Sequence, residues 1–170
     1  MADDPAITIL DADEPDYGTL AARYEDRPNL LLEIADSGDP LAAARSVYIA
    51  GAIAREHTAH QVSDDAKGDL LDAVYKVVLE GSRNEDATVR VAAAIAAAAL
   101  PEVQGATITT HLLRDDDIGV RKSALEGVPK TLSPEVVTAL HEIAANHTEL
   151  ADLAQHVLDH HPPNEGTAPL

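Results

Sequence analysis

The chain has 170 residues, of which 30 are acidic and 12 are basic, and its formal net charge is -18. This charge repels phosphate backbones, and no run of Lys and Arg forms a local exception, so we expect no nucleic-acid partner. The chain has no Cys, which excludes disulfides and thiolate metal sites. It has no Phe or Trp either, so its core must consist of small aliphatic side chains, which favours an all-α fold.

Both ends of the chain are predicted to be tails. Residues 1–16 are acidic and contain two prolines, and residues 162–170 (PPNEGTAPL) also disfavour a helix. The N-terminal sequence lacks the basic region of a signal peptide, and no apolar segment of about 18 residues predicts a membrane span. We therefore expect a cytoplasmic protein with no membrane association and with a single domain over residues 17–161.

Helical periodicity dominates this domain. The first segment, residues 17–35, is weakly patterned, and Gly38 and Pro40 separate it from the next helix. Ser63 precedes an amphipathic helix that Gly81 is expected to stop. Later helices are predicted over residues 84–100, 101–114 and 117–127, and from residues 133 and 148 onward. The pattern predicts about eight helices in four antiparallel pairs.

The second helix of each pair carries a repeated sequence. The repeats begin at Ala44, Val89, Val120 and Leu150, with offsets of 45, 31 and 30 residues. Repeating helix pairs of this length are typical of an α-solenoid, in which stacking buries the apolar face that no unit buries alone. The sequence therefore predicts an armadillo-type superhelix of about four pairs.

Two of these repeats resemble the HEAT-repeat family, including its short repeats of the phycobilisome lyase type. The elements that carry the resemblance are Asn84…Val89-Arg90…Ala93 and Asp115…Val120-Arg121…Ala124-Leu125. In that family the acidic or amide residue six positions before the arginine pairs with arginines of neighbouring repeats in a ladder. The resemblance implies this structural role for Asp39, Asn84 and Asp115 and for Arg45, Arg90 and Arg121. The last unit has Ala151 at the arginine position, as expected of an end cap.

Helical geometry separates two faces of the segment 84–100 (NEDATVRVAAAIAAAAL). With about 100° of rotation per residue, Ala93, Ala96, Ala97 and Leu100 point the same way as Val89 and are expected to pack on the rest of the solenoid. The opposite positions, Val91, Ile95 and Ala98, define what we call the inner face, because second helices line the concave surface of HEAT-like stacks. The aligned inner-face positions are Ser46, Ala50 and Ile53, then Lys122, Glu126 and Pro129, then Asp152, His156 and Asp159.

The inner face is predicted to grade from apolar to polar, and an exposed apolar patch usually has a cover. We expect a non-catalytic interaction or scaffold module that binds a helix or peptide of another protein in this concave groove. The predicted binding residues are Val91, Ile95, Lys122 and Glu126. Self-association through the same face, cover by the N-terminal arm (residues 7–10) and closure of the faces on one another are the open alternatives.

No cofactor, metal site or catalytic residue is predicted. His156 and His160 share a helix face, but two ligands do not make a site. The pair His141-Glu142 occurs once, whereas HEAT-like deoxyhypusine hydroxylases repeat such pairs around two irons. Because bilin lyases have similar short repeats, the resemblance implies an alternative function as a lyase-type or chromophore-handling enzyme subunit.

Overall fold

The computed structural model describes residues 15–59, 65–129, 132–146 and 149–161. Nine α-helices account for the regular structure of these ranges, which confirms the predicted all-α class. They are α1 (Tyr17–Tyr24), α2 (Pro28–Ala35), α3 (Pro40–Ala59), α4 (Asp65–Gly81), α5 (Ala87–Ala97), α6 (Glu102–Leu112), α7 (Ile118–Glu126), α8 (Pro134–Ala145) and α9 (Ala151–His160). The arm at residues 7–10 and the tail at 162–170 lie outside the described residues.

The first predicted helix is in fact two helices. Asp16, which the sequence analysis assigned to the tail, is the N-cap of α1 and accepts hydrogen bonds from the backbone N–H groups of Gly18 and Thr19. Arg27 precedes Pro28 and has φ -134° and ψ 47°, outside the helical region. A proline disfavours helical conformation in the residue before it, so the chain breaks here and Pro28 begins α2.

Side-chain caps fix the starts of three later helices, and two of these starts are where the sequence predicted them. Asp117 accepts from the N–H of Val120 at 3.0 Å, and Ser133 from the N–H of Val136 at 3.4 Å. Asp86 accepts from the N–H of Thr88 at 2.7 Å, so α5 begins at Ala87 and not at the predicted residue 84. The last helix begins later than predicted, at Ala151, and its N-cap residue Leu150 provides no side-chain bond. These caps satisfy N–H groups that have no partner inside the helix.

The helices pack both on the next helix in chain order and on the next but one. One row consists of the second helices, in which each helix packs on the next: α3, α5, α7 and α9. Among the remaining helices, α2 packs on α4 and α6 packs on α8. Within the pairs, α2 packs on α3, α4 on α5, α6 on α7 and α8 on α9. Helix α1 adds to the start of this array by packing on α3. In the part of the chain described, no helix is both long and apolar enough to cross a bilayer.

Small residues let these helices approach closely. A Cβ atom on Gly51 of α3 would lie 2.8 Å from the Cβ atom of Ala96 in α5. A Cβ atom on Gly81, at the end of α4, would lie 2.6 Å from Val47 Cγ2. Helix α4 ends at Gly81, as predicted, although among the described glycines positive φ occurs at Gly38, at 78°. Gly81 also leaves space for Val47, which is fully buried.

Candidate interaction face and arginine ladder

Helix α5 has the two faces that its sequence predicts. Its packing face is buried, and the members of that face are Val89, Ala93, Ala96 and Ala97, together with Leu100 shortly after the helix. On the opposite side Val91 is half-buried, Ala98 is exposed and Ile95 is 41% exposed. Ile95 is thus a large apolar side chain in contact with solvent on a helix whose other apolar residues are mostly buried.

Helix α7 continues this face with charged residues. Lys122 and Glu126 are exposed and form an ion pair at 3.9 Å along the helix. Gly127, directly after α7, lies against α5, since a Cβ atom on it would be 3.1 Å from the carbonyl oxygen of Ala94 and 3.7 Å from Ala98 Cβ. This contact joins the end of α7 to the exposed side of α5. We call the surface formed by Val91, Ile95, Lys122 and Glu126 the α5–α7 face.

The last helix presents polar groups at its predicted inner-face positions. Asp152, His156 and Asp159 are all exposed, and α9 packs on α7. Asp159 accepts a hydrogen bond from Gln155 Nε2 at 2.8 Å. The exposed charges of α9 are therefore mainly negative.

The first helix pair departs from the prediction. We call each helix pair a unit, and the four units are α2–α3, α4–α5, α6–α7 and α8–α9. Ser46 and Ala50 are 0% exposed and Ile53 is 1% exposed, so none of them lines an open groove. The cause is a shift in register: Asp39 caps α3 as Asp86 caps α5, and these two aspartates are 47 residues apart, not 45. Two residues turn a helix by about 200°, which moves the predicted inner face to the opposite side.

In the corrected register Tyr48, not Ala50, corresponds to Ile95. Tyr48 is half-buried, and its ring lies 5.3 Å from that of Tyr17 in α1. Gly51 then corresponds to Ala98, and it is buried against Ala96. Helices α1 and α5 therefore take part in covering the side of α3 that corresponds to the α5–α7 face.

The loops before α5 and α7 have the same hydrogen-bond geometry. Asn84 Oδ1 accepts from the N–H of Asp86 at 2.9 Å, and Asp115 Oδ1 accepts from the N–H of Asp117 at 2.9 Å. Arg90 Nη1 donates to the carbonyl oxygens of residues 84 and 85, six and five positions earlier. Arg121 Nη1 donates to the carbonyl oxygens of residues 115 and 116 in the same way. Each arginine thus closes its own loop, and the sequence repeat is also a repeat of local structure.

One ion pair joins the unit that contains α5 to the unit that contains α7, and we call it a rung of the predicted ladder. Arg90 Nε donates to Asp115 Oδ2 at 2.7 Å and Arg90 Nη2 to Asp115 Oδ1 at 2.9 Å, with the two side chains 13% and 7% exposed. Burial raises the pKa of Asp115, but the hydrogen bonds from Arg90 and from the N–H of Asp117 outweigh it, and the pKa is lowered overall. The hydrogen bonds to Asp115 raise the pKa of Arg90 in turn. The pair is therefore ionised and bidentate.

The other predicted ladder residues act differently. Asp39 serves as the cap of α3, where it accepts from the N–H groups of Leu41 and Ala42. Arg45 is half-buried on α3. Between the third and fourth units the inter-unit ion pair is formed by residues that the sequence analysis did not select, since Arg114 Nε donates to Glu142 Oε2 at 2.8 Å. This hydrogen bond lowers the pKa of Glu142.

Sequence reasoning missed the most exposed large apolar residue of the described chain. Val103, in the first turn of α6, is 80% exposed. It lines a cleft of about 490 Å³ between α6 and α8, together with Ala106, Thr107 and Ser133. The sequence did contain a signal for this exposure, because Val103 lies between two polar residues, Glu102 and Gln104, which favour the solvent side of a helix. This surface lies on α6, outside the α5–α7 face.

Two of the described histidines lie close together on α9, and a third contacts a carboxylate. The rings of His156 and His160 are 4.0 Å apart, and His160 Nδ1 lies 2.8 Å from the carbonyl oxygen of His156. His57 Nε2 contacts Glu25 at 2.9 Å. Across the described ranges, no group of three or more His, Asp or Glu side chains has a metal-binding arrangement.

Comparisons of the chain with protein-family models, with curated proteins and with solved structures each return no match.

Proposed function

We propose that this chain is an α-solenoid of HEAT-like helix pairs that acts as a non-catalytic protein–protein interaction module. The repeated loops before α5 and α7 and the packing of each second helix on the next support the solenoid. The observation that carries the function is the exposure of Ile95 on a helix that is otherwise packed tightly. Burying about 200 Å² of this surface would contribute roughly 5 kcal/mol before the cost of association.

The charges beside Ile95 indicate the chemistry of the partner. Glu126 is exposed on α7, which packs on α5, and α9 adds the exposed carboxylates of Asp152 and Asp159. The chain as a whole carries a net charge of -18. The partner segment is therefore a helix or extended peptide that places an apolar side chain against Ile95 and Lys or Arg side chains toward α7 and α9. Its capture should weaken as salt concentration rises, because exposed charges are screened.

Two matched variants test the assignment. Ile95→Glu introduces a charge into the α5–α7 face, and Val103→Glu introduces the same charge at an exposed apolar residue on α6. Each variant and the wild type are immobilised and used to capture proteins from a lysate of the source organism. The affinity of each variant for the captured protein, purified, is then measured by calorimetry.

We expect the wild type and Val103→Glu to bind the same protein and Ile95→Glu to lose at least about tenfold in affinity, about 1.4 kcal/mol. Retained affinity in a folded Ile95→Glu protein would contradict the assignment, and loss in Val103→Glu alone would move the site to α6. If no partner is captured, light scattering of the wild type and Ile95→Glu distinguishes self-association through this face from a monomer.

A further inference from the structure

Arg90 and Arg121 occupy equivalent positions in the two sequence repeats. They differ in what binds their Nε and Nη2 atoms, which together we call the outer edge. Both use Nη1 to close their own loop, and Arg90 uses Nε and Nη2 to bind the carboxylate of Asp115 in the next unit. Among the described residues, Nε and Nη2 of Arg121 have neither a hydrogen-bond partner nor an ion pair. Leu150 before α9 corresponds to Asp117 before α7, so the position equivalent to Asp115 is residue 148, which is a threonine and lies outside the described residues.

Arg121 lines a cleft of about 250 Å³ between the third and fourth units. Leu113, Ala139 and Ile143 supply its apolar wall. The two carboxylates that also line it are already engaged, since Asp115 binds Arg90 and Glu142 binds Arg114. The outer edge of Arg121 is therefore the cationic group of this cleft that is left without a counter-charge in the described chain.

We propose that the Nε–Nη2 edge of Arg121 is a carboxylate-binding site. The geometry follows the rung one unit earlier, where Asp115 receives two parallel hydrogen bonds of 2.7 and 2.9 Å from the same edge of Arg90. The ligand is the carboxylate of a small organic acid or of an Asp or Glu side chain of another polypeptide. The two carboxylates that line the cleft are neutralised by Arg90 and Arg114, and charges more than about 8 Å away are screened at physiological ionic strength. The site is separate from the α5–α7 face and does not depend on it.

The test uses the full chain labelled with nitrogen-15, whose arginine Nε–H signals are assigned. The probes are acetate, N-acetylglutamate N-methylamide and, as the neutral control, N-acetylglutamine N-methylamide, each added at constant ionic strength. Arg90 is an internal control in the same spectrum, because its edge is already occupied. Arg121→Lys keeps the charge but lacks the bidentate edge, and Lys122→Ala removes a neighbouring charge.

We expect the Arg121 signal to shift saturably with the glutamate probe, with half-saturation at about 10 mM, while the Arg90 signal stays in place. Arg121→Lys should weaken binding about threefold or more, as measured by shifts of backbone signals around the cleft, and Lys122→Ala should not. Equal affinity for acetate identifies a small acid as sufficient, and tighter binding of the glutamate probe identifies a side chain. The proposal is overturned by an Arg121 signal that does not respond, that responds equally to the glutamine probe, or by unchanged affinity in Arg121→Lys.

Discussion

Arg90 and Asp115 hold two consecutive helix pairs together through a bidentate ion pair, although 25 residues separate them in sequence. The same carboxylate also accepts the N–H of Asp117, directly before α7. One side chain therefore links the position of one unit to the loop geometry of the next. Removing it leaves a mostly buried guanidinium without its counter-charge, which is costly.

Asp115→Ala should lower the free energy of unfolding by about 3 kcal/mol, since it breaks a buried charge pair and a loop hydrogen bond. Asp116 is the matched control, because it also approaches Arg90, at 3.3 Å, but its side chain is 97% exposed. Asp116→Ala should change stability by about 0.5 kcal/mol or less. Urea denaturation followed by circular dichroism measures both values, and equal losses would show that the rung is not the stabilising contact.

The lowered pKa of Asp115 predicts a pH dependence. The pKa in the unfolded chain is near 3.8, and the folded value lies below it. The ionised carboxylate therefore stabilises the fold fully above the unfolded pKa, and this contribution is lost as the pH falls through the folded pKa. The difference in stability between wild type and Asp115→Asn should be constant from about pH 5 to 8 and should shrink below about pH 4. A difference that grows in acid would contradict the ionised pair.

Two glycine substitutions test the close approach of α3 and α5. Gly51→Ala would bring its Cβ within 2.8 Å of Ala96 Cβ, so the helices must separate, at a cost of about 1–3 kcal/mol. Gly68→Ala, in α4, meets no atom within 4 Å and should stabilise the protein by up to about 1 kcal/mol through helix propensity. Melting temperatures that move in opposite directions are expected. A harmless Gly51→Ala would mean that this contact is looser than 2.8 Å indicates.

The register of the first unit predicts a contrast between Ala50 and Ile95, which the sequence repeat aligns. Ala50→Glu places a charge at a site that is 0% exposed and should lower stability by about 4 kcal/mol or more. Ile95→Glu places the same charge at a solvent-exposed site and should cost about 1 kcal/mol or less. Thermal unfolding of both variants measures this, and equal tolerance of the two substitutions would restore the register that the repeat alone suggested.

Features encoded within a few residues were predictable from the sequence. The apolar period of α5 separates its buried face from Val91 and Ile95, and Asp117 and Ser133 cap the helices that follow them. The all-α class follows from a core that must be built without Phe or Trp. In each case the physical cause is local, either hydrogen bonding at a helix end or the rotation of side chains around one helix axis.

Tertiary structure decided what depends on packing between helices. The alignment of the repeats did not show that Asp39 caps α3 directly. Because of this register, the predicted inner face of α3 lies about 200° from the expected side, and Ala50 is buried. The alignment did not show that Gly81 makes room for Val47, or that Val103 remains on the surface. The resemblance implied the pairing of Asp115 with an arginine of a neighbouring repeat, but not that the Nε–Nη2 edge of Arg121 has no partner in the described chain. Burial and pairing are set by which helix lies opposite, and that relationship exists only after the chain has folded.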